Sequence, residues 1–426
     1  MSSYYIWTIG CQMNKADSAD LAARLDDLGF IPAETVDEAD VVVVNSCVVR
    51  QSAENRVLAK LDSLARPKRL RPEMTIALMG CMVGPEADEL MRRFPHVDAF
   101  VSPGRASELV EIASRRPVDR IVVHEAPSRP PCAYVTVIEG CDNFCSYCIV
   151  PYRRGRERSR EMKEVLLQLE ELVAGGVREV TLLGQNVNSY GHDLPGGPDL
   201  ADLLGEVNAV SGLERIRFLT SHPKDMSDRL IQAVGSLSKV CEVVSLPVQA
   251  GDDDVLRAMG RGYTSRFYRE LVERMRDEIP GVALSTDVVV GFPGETDEQY
   301  RRTLDLLSGV RFDSLHIAAY SPRPGTAAAE TLEDSVPLSV KKARLREAEE
   351  LQRGIAAEIN GRLLGHSVEV LVEGEKQGKW HGRTRTGKLV FFRQDADCLG
   401  QLVDVRITKT SPWSLQGDVS RHRHEG

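Results

Sequence analysis

Apolar positions recur along the first 125 residues in two alternating rhythms. Tyr4 to Ile9 is a short β-rich run, after which Ala16 to Leu28 sets Leu21, Leu25 and Leu28 at helical spacing and stops at Gly29. Asp40 to Ser46 holds four successive valines, the continuous apolar run of a parallel strand buried on both faces. Ser52 to Leu64 is helical, Thr75 to Met79 is a third apolar run, and Glu86 to Arg93 is helical again. This alternation predicts a doubly wound, mostly parallel sheet.

Pro127, Pro130 and Pro131 punctuate a linker, and a longer β/α series follows. Its expected strands are Tyr134–Ile138, Glu179–Leu183, Arg215–Leu219, Val243–Leu246, Ala283–Val290 and Ser314–Ala319, six units consistent with an open or complete barrel. A charged helix, Leu338 to Ala357, leads out of it. From Gly361 onward the rhythm changes to short strands (Val368–Val372, Gly378–Thr384, Leu389–Phe392, Leu402–Thr410) with glycines between them, the mark of a small antiparallel β-barrel. The expected divisions are residues 1–125, 132–360 and 361–426. The fold class is α/β, with a β-barrel appended.

A chain of 426 residues with 42% hydrophobic residues buries a core without covalent staples, so its nine cysteines need another purpose. An odd number argues against a closed disulfide framework. The N-terminus lacks the basic and apolar regions of a signal peptide, and no apolar run approaches the roughly 18 residues of a membrane span. A cytoplasmic protein with reduced cysteines and no membrane partner is expected. The net charge of −9 hides an asymmetry, because from Gly361 to the end 11 Lys and Arg stand against 8 Asp and Glu. Lys376, Lys379, Arg383, Arg385, Lys388 and Arg393 follow one another with no acidic residue between them, so bulk charge does not exclude nucleic acid.

Cys141, Cys145 and Cys148 form a C-x3-C-x2-C spacing directly after the first strand of the second series. Three thiolates in one short loop hold three irons of a [4Fe–4S] cube and leave the fourth open to a small molecule. Zinc, the competing reading, requires a fourth local ligand that no nearby His or Cys supplies. This motif at the top of a β/α barrel resembles the radical S-adenosylmethionine enzymes. The resemblance implies that the open iron chelates S-adenosylmethionine and that reductive cleavage yields a 5′-deoxyadenosyl radical.

Cys11, Cys47 and Cys81 each follow one of the first three expected strands, spaced by 36 and 34 residues. The carboxyl ends of parallel strands share one edge, so the three thiols converge there. Core packing does not explain that common placement, and a second iron–sulfur cluster does. Cys132 in the linker, Cys241 ahead of a strand and Cys398 in the tail show no such pattern and read as structural.

A three-cysteine first domain, a C-x3-C-x2-C barrel and a small β-barrel tail together resemble the methylthiotransferases over essentially the whole chain. The resemblance implies two [4Fe–4S] clusters, an auxiliary one on Cys11, Cys47 and Cys81 and a radical one on Cys141, Cys145 and Cys148. It also implies two uses of S-adenosylmethionine, a sulfur donor and an electron donor. The motifs Gly10-Cys-Gln-Met-Asn, Gly140-Cys-Asp-Asn-Phe-Cys, Ile149-Val-Pro-Tyr, Arg154-Gly-Arg-Glu-Arg-Ser-Arg and Leu182-Leu-Gly-Gln-Asn-Val-Asn-Ser-Tyr-Gly resemble the branch acting on tRNA. Gln249-Ala250-Gly251 departs from the commoner Ser between Gln and Gly. The implied reaction forms a C2–S bond on N6-dimethylallyladenosine at position 37, beside the anticodon. Threonylcarbamoyl-adenosine in tRNA and an aspartate of a ribosomal protein are the alternative substrates. An iron–sulfur RNA-binding regulator is the non-enzymatic alternative.

Gln185, Asn186, Gln249 and Gly291 follow barrel strands and are candidate contacts for S-adenosylmethionine or the target base. Arg154, Arg156 and Arg158 follow the cluster loop and are candidates for RNA phosphate, since the guanidinium fork pairs with phosphate; a solvated charge run is the plainer reading. Glu295 reads equally as a helix cap, and His222 alone is a weak signal. In the tail, which resembles the TRAM module, Lys379, Trp380, Arg383 and Arg385 are candidates for RNA, with Phe391 or Phe392 in the barrel core.

Overall fold

A computed structural model describes residues 2–49, 51–84, 87–114 and 130–422. The expected linker residue Pro127 and the first residue of the expected helix Glu86–Arg93 lie outside them. The chain divides into two compact units. One takes residues 1–127 with Glu139–Asp142 and Cys148–Arg158; the other takes Ser128–Ile138, Asn143–Tyr147 and Ser159–Gly426, so that the C-terminal barrel shares a unit with the central one.

The first unit runs β1 (Ser3–Thr8), α1 (Gln12–Asp27), β2 (Ile31–Pro32), β3 (Val41–Ser46), α2 (Gln51–Leu70), β4 (Thr75–Gly80), α3 (Asp88–Arg93), β5 (Ala99–Val101) and α4 (Ala106–Ser114). All pairings are parallel, in the order β2-β1-β3-β4-β5. Alternate residues of the central strands serve opposite faces. Val42, Val44, Ile76 and Leu78 pack on Val57, Leu61 and Leu64 of α2, while Val41, Val43, Ala77 and Met79 pack with Leu21 and Leu25 of α1 and Leu109 and Ala113 of α4. The four valines therefore feed two cores, and the sheet is doubly wound. The sequence pattern missed β2, β5 and α4; the two strands are too short to show a period.

In chain order the central region then carries β6 (Cys132–Thr136), β7 (Ile138–Glu139), α5 (Val150–Arg154), β8 (Arg158–Ser159), α6 (Met162–Ala174), β9 (Glu179–Leu183), α7 (Leu200–Asn208), β10 (Arg215–Leu219), α8 (Asp228–Ser236) and β11 (Val243–Ser245). It continues through α9 (Asp253–Ala258), α10 (Ser265–Glu278), β12 (Ala283–Val290), α11 (Asp297–Val310), β13 (Ser314–Ala319), α12 (Ala327–Thr331) and α13 (Leu338–Gly361). Two parallel sheets, β6-β9-β10 and β11-β12-β13, are joined by a parallel bridge between Ile216 and Val240. The result is a six-stranded partial barrel around Val135, Val180, Leu182, Phe218, Leu246 and Val288. Cys132, expected in the linker, opens its first strand, in register with Glu179.

The tail is a closed barrel of β14 (Ser367–Lys376), β15 (Lys379–Thr384), β16 (Leu389–Arg393), β17 (Leu402–Thr410) and β18 (Leu415–His422), in the order β14-β15-β16-β18-β17. It is not wholly antiparallel, because β16 and β18 pair in parallel. Strand β18 was not expected. Phe392, Val370, Val403, Val405 and Cys398 fill the barrel core. Among the described residues no helix is long and apolar enough to cross a membrane.

Candidate functional site

In a parallel sheet of this order the chain reverses direction between β1 and β3, and ligands bind at the carboxyl ends of strands beside such a switch point. Cys11 lies just beyond β1 as the N-cap of α1, Cys47 directly follows β3, and Cys81 directly follows β4. Two glycines bring the strand ends together. A Cβ on Gly10 (φ +133°) would stand 2.7 Å from the Cβ of Cys47, and one on Gly80 (φ +97°) would stand 2.6 Å from Asn45 Oδ1 and the Ser46 carbonyl. Beneath them, fully buried Asn14 and Asn45 form a frame. Asn14 Nδ2 donates to the Ser46 carbonyl at 2.7 Å, and Asn45 Nδ2 donates to the Asn14 carbonyl at 2.8 Å and to Ser18 Oγ at 2.9 Å.

Two of the sulfurs accept hydrogen bonds. The Val49 amide donates to Cys47 Sγ and Arg154 Nε to Cys81 Sγ, each at 3.4 Å. Burial pushes the Cys81 thiol up, Arg154 opposes that, and the charges of Cys11 and Asp17 add to it. Among the described residues no three His, Cys, Asp or Glu side chains gather tightly enough for a single ion. A cube instead spreads three thiolates over three irons, and thiols backed by N–H donors fit it.

The radical-type loop contributes to both units, Cys141 and Cys148 to the first and Cys145 to the second. In the first, the Cys141 amide donates to the Gly155 carbonyl at 3.2 Å. In the second, Arg261 Nη1 donates to Cys145 Sγ at 3.2 Å, Nη2 donates to the Pro247 carbonyl at 3.1 Å, and Nε donates to Tyr263 Oη at 3.1 Å. Arg261 and Tyr263 were not singled out in the sequence; the Gly-Arg-Gly-Tyr turn after α9 was the available signal.

The other barrel candidates also sit at strand ends. Asn186 is buried after β9 and donates to Asp225 Oδ2 at 2.8 Å, with half-buried Gln185 beside it. Gln249, at φ +71°, bridges in parallel to Val288. Gly291 gives its amide to Glu295, and Glu295 pairs with Arg344 of α13 at 2.8 Å. That bracket anchors a helix, so Glu295 is more than a cap. His222, after β10, packs edge-on against Tyr263 at 5.7 Å between centroids, and among the described residues its buried Nε2 and the neighbouring buried Ser221 Oγ find no hydrogen-bond partner. Burial, then the charges of Arg261 and Lys224, push the His222 pKa down to about 2.

The basic residues divide by role. Arg154, expected at RNA, is instead buried against Cys81 and Asp17, with 4% of its side chain exposed. Arg156 and Arg158 are exposed, paired with Asp142 and Glu139. In the tail, Arg385 grips Glu242 with both ends of its fork, and Lys388 pairs with Asp313 at 2.6 Å. Both acids precede strands of the partial barrel, so these two cations are turned toward its amino-terminal rim. Arg383 is exposed beside Glu373, Lys379 is half-buried, and Trp380 donates Nε1 to the Gln394 carbonyl while its ring packs on the barrel core. Trp413, which the sequence pattern did not single out, is 60% exposed between β17 and β18, on a loop whose carbonyls accept from Asn360 Nδ2.

Three family models match the chain: UPF0004, described as an uncharacterized protein family, over residues 3–102; the Radical SAM superfamily over 135–307; and the TRAM domain over 361–420. The chain is 51% identical over 420 residues to a tRNA-2-methylthio-N(6)-dimethylallyladenosine synthase of Dehalococcoides mccartyi, covering 98% of this chain and 99% of that one. It is 51% identical to the synthase of the same name from Chloroflexus aurantiacus, covering 97% and 91%. Among solved structures, the radical S-adenosylmethionine methyltransferase TsrM of Kitasatospora setae superposes with a TM-score of 0.58 at 16% identity, covering 77% of each chain, a likeness of fold.

Proposed function

The chain belongs to the tRNA-2-methylthio-N(6)-dimethylallyladenosine synthase family, and from that premise we propose that it adds a methylthio group to C2 of N6-dimethylallyladenosine at position 37 of tRNA. The observation that carries this reading is full-length likeness to those synthases in a chain whose six patterned cysteines fall into two sets of three. Cys11, Cys47 and Cys81 hold an auxiliary [4Fe–4S] cluster, and Cys141, Cys145 and Cys148 hold a second. When bound, the clusters supply the electron for cleaving S-adenosylmethionine and the place where sulfur is handed over. Residues 1–125, 132–360 and 361–426 divide the labour into sulfur handling, radical generation and tRNA binding.

The residues of the chain bind, orient and shield. Arg261 holds the Cys145 sulfur in a buried turn. Gln185, Asn186 and Gln249 line the strand ends where S-adenosylmethionine and the base meet. Burial holds His222 neutral, and its Nδ1 accepts from the Lys224 amide at 3.3 Å. Exposed Arg156 and Arg158 meet phosphate, and Trp413 offers a stacking face to an unpaired base. An electron donor and a sulfur donor complete the reaction, which with this substrate belongs in the cytoplasm.

Two measurements test the reading. Reduced, iron-loaded protein supplied with S-adenosylmethionine and tRNA is expected to release 5′-deoxyadenosine; none would leave an RNA-binding regulator as the better account. Replacing Cys141, Cys145 and Cys148 together by Ala is expected to leave about half the iron and sulfide, given two independent three-thiolate sites. Near-complete loss would contradict two clusters.

A further inference from the structure

Arg154 belongs to neither cysteine set, yet its guanidinium is buried against one of them. It closes α5, six residues after Cys148, with 4% of its side chain exposed. Its Nε donates to Cys81 Sγ at 3.4 Å and its Nη2 to Asp17 Oδ2 at 2.7 Å, and Asp17 is itself only 11% exposed. A buried guanidinium keeps its charge, and here that charge is shared between one carboxylate and one thiol. A salt bridge serving only to pin α5 would need Asp17 alone; the second bond, aimed at a sulfur, marks a different use.

We propose that Arg154 is a positioning residue for the auxiliary cluster, donating a charge-assisted hydrogen bond to the Cys81 thiolate and setting the cluster's reduction potential, with Asp17 as the counterweight that orients it and offsets its charge. The proposal rests on the reading of Cys11, Cys47 and Cys81 as cluster ligands. The physics is that of outer-shell partners generally: a donor or positive charge beside a cluster sulfur stabilises the more negative, reduced state and raises the potential, and a nearby carboxylate lowers it. The segment Cys148–Arg158 thus carries a ligand of one cluster at one end and a donor to the other cluster's ligand near its opposite end.

The two partners predict shifts of opposite sign, which a merely structural bridge does not. In full-length protein with Cys141, Cys145 and Cys148 replaced by Ala, only the auxiliary cluster remains, and its midpoint is read by electron paramagnetic resonance during a redox titration. Arg154→Gln is expected to lower the midpoint enough to change the oxidised-to-reduced ratio about tenfold, which is about 59 mV for a one-electron couple. Arg154→Lys, which keeps the charge, is expected to recover part of that shift. Asp17→Asn still accepts from Nη2 while removing a negative charge, and is expected to raise the midpoint. Loaded clusters with unchanged midpoints, or shifts of the same sign for Arg154→Gln and Asp17→Asn, would overturn the proposal. If Arg154→Gln fails to load iron, Asp17→Asn decides alone, and an unchanged or lower midpoint overturns it. No iron in the parent triple-Ala protein would instead overturn the cluster reading itself, and the proposal with it.

Discussion

At the scale of single residues, the six patterned cysteines were legible because a thiol repeated at successive strand ends, or packed three to a short loop, has few other uses. Their environment was not legible. Arg154 reads in sequence as one more member of an arginine run, and nothing in spacing distinguishes it from Arg156, two residues on. Packing separates them: one side chain is 4% exposed and the other 75%. His222, a weak signal alone, gains meaning from Tyr263 and Arg261, which lie some forty residues away in the chain. Of the two glycines beside the strand-end cysteines, Gly80 is the tighter. Gly80→Ala would force a Cβ against Asn45 and the Ser46 carbonyl in a backbone region that side chains avoid, at a cost of about 1–3 kcal/mol. It is expected to lose the auxiliary iron while the radical cluster stays, leaving about half the iron of the parent; full retention would show that the strand ends tolerate separation.

Elements were read best where periodicity was long. The strands Glu179–Leu183, Arg215–Leu219, Ala283–Val290 and Ser314–Ala319 fall where the apolar runs put them. Three-residue β5 and two-residue β2 carry too few positions to show a period, and they exist because the neighbouring strand pairs with them. Caps are equally local. Asp252 starts α9, accepting from the Asp254 and Val255 amides at 3.0 and 3.1 Å, and pairs with Arg302 at 2.6 Å. Burial raises its pKa, but Arg302 and the two amides outweigh that and hold it below the usual aspartate value. A depressed folded value contributes stability above pH 3.8 that is lost as pH falls through the folded value. Asp252→Ala is therefore expected to cost about 1–2 kcal/mol at pH 7 and less in acid, checked by thermal melts across pH. An equal cost at all pH values would exclude the charge.

At the scale of the whole molecule, the basic stretch of the tail reads in sequence as a nucleic-acid surface, yet part of it does structural work. Arg215 and Arg217 of β10 are buried and donate to the carbonyls of Arg383, Thr384 and Arg385, while Arg385 and Lys388 return the pairing to Glu242 and Asp313. Charge order along a sequence does not say which side chain faces inward; only the docking of the small barrel decides that. The tail is thus no detachable module. A chain ending at Asn360 loses these bonds and the two ion pairs of Arg385 and Lys388, and is expected to melt on the order of 5–10 °C lower. An unchanged melt would contradict the docking. Nucleoside mass spectrometry reads the product of the reaction directly. A strain lacking this chain is expected to accumulate N6-dimethylallyladenosine in its tRNA and to regain the 2-methylthio form on complementation. It should not regain it with a Cys141→Ala, Cys145→Ala and Cys148→Ala copy. An unchanged 2-methylthio signal in the deletion strain, or a loss confined to threonylcarbamoyl-adenosine, would contradict the account.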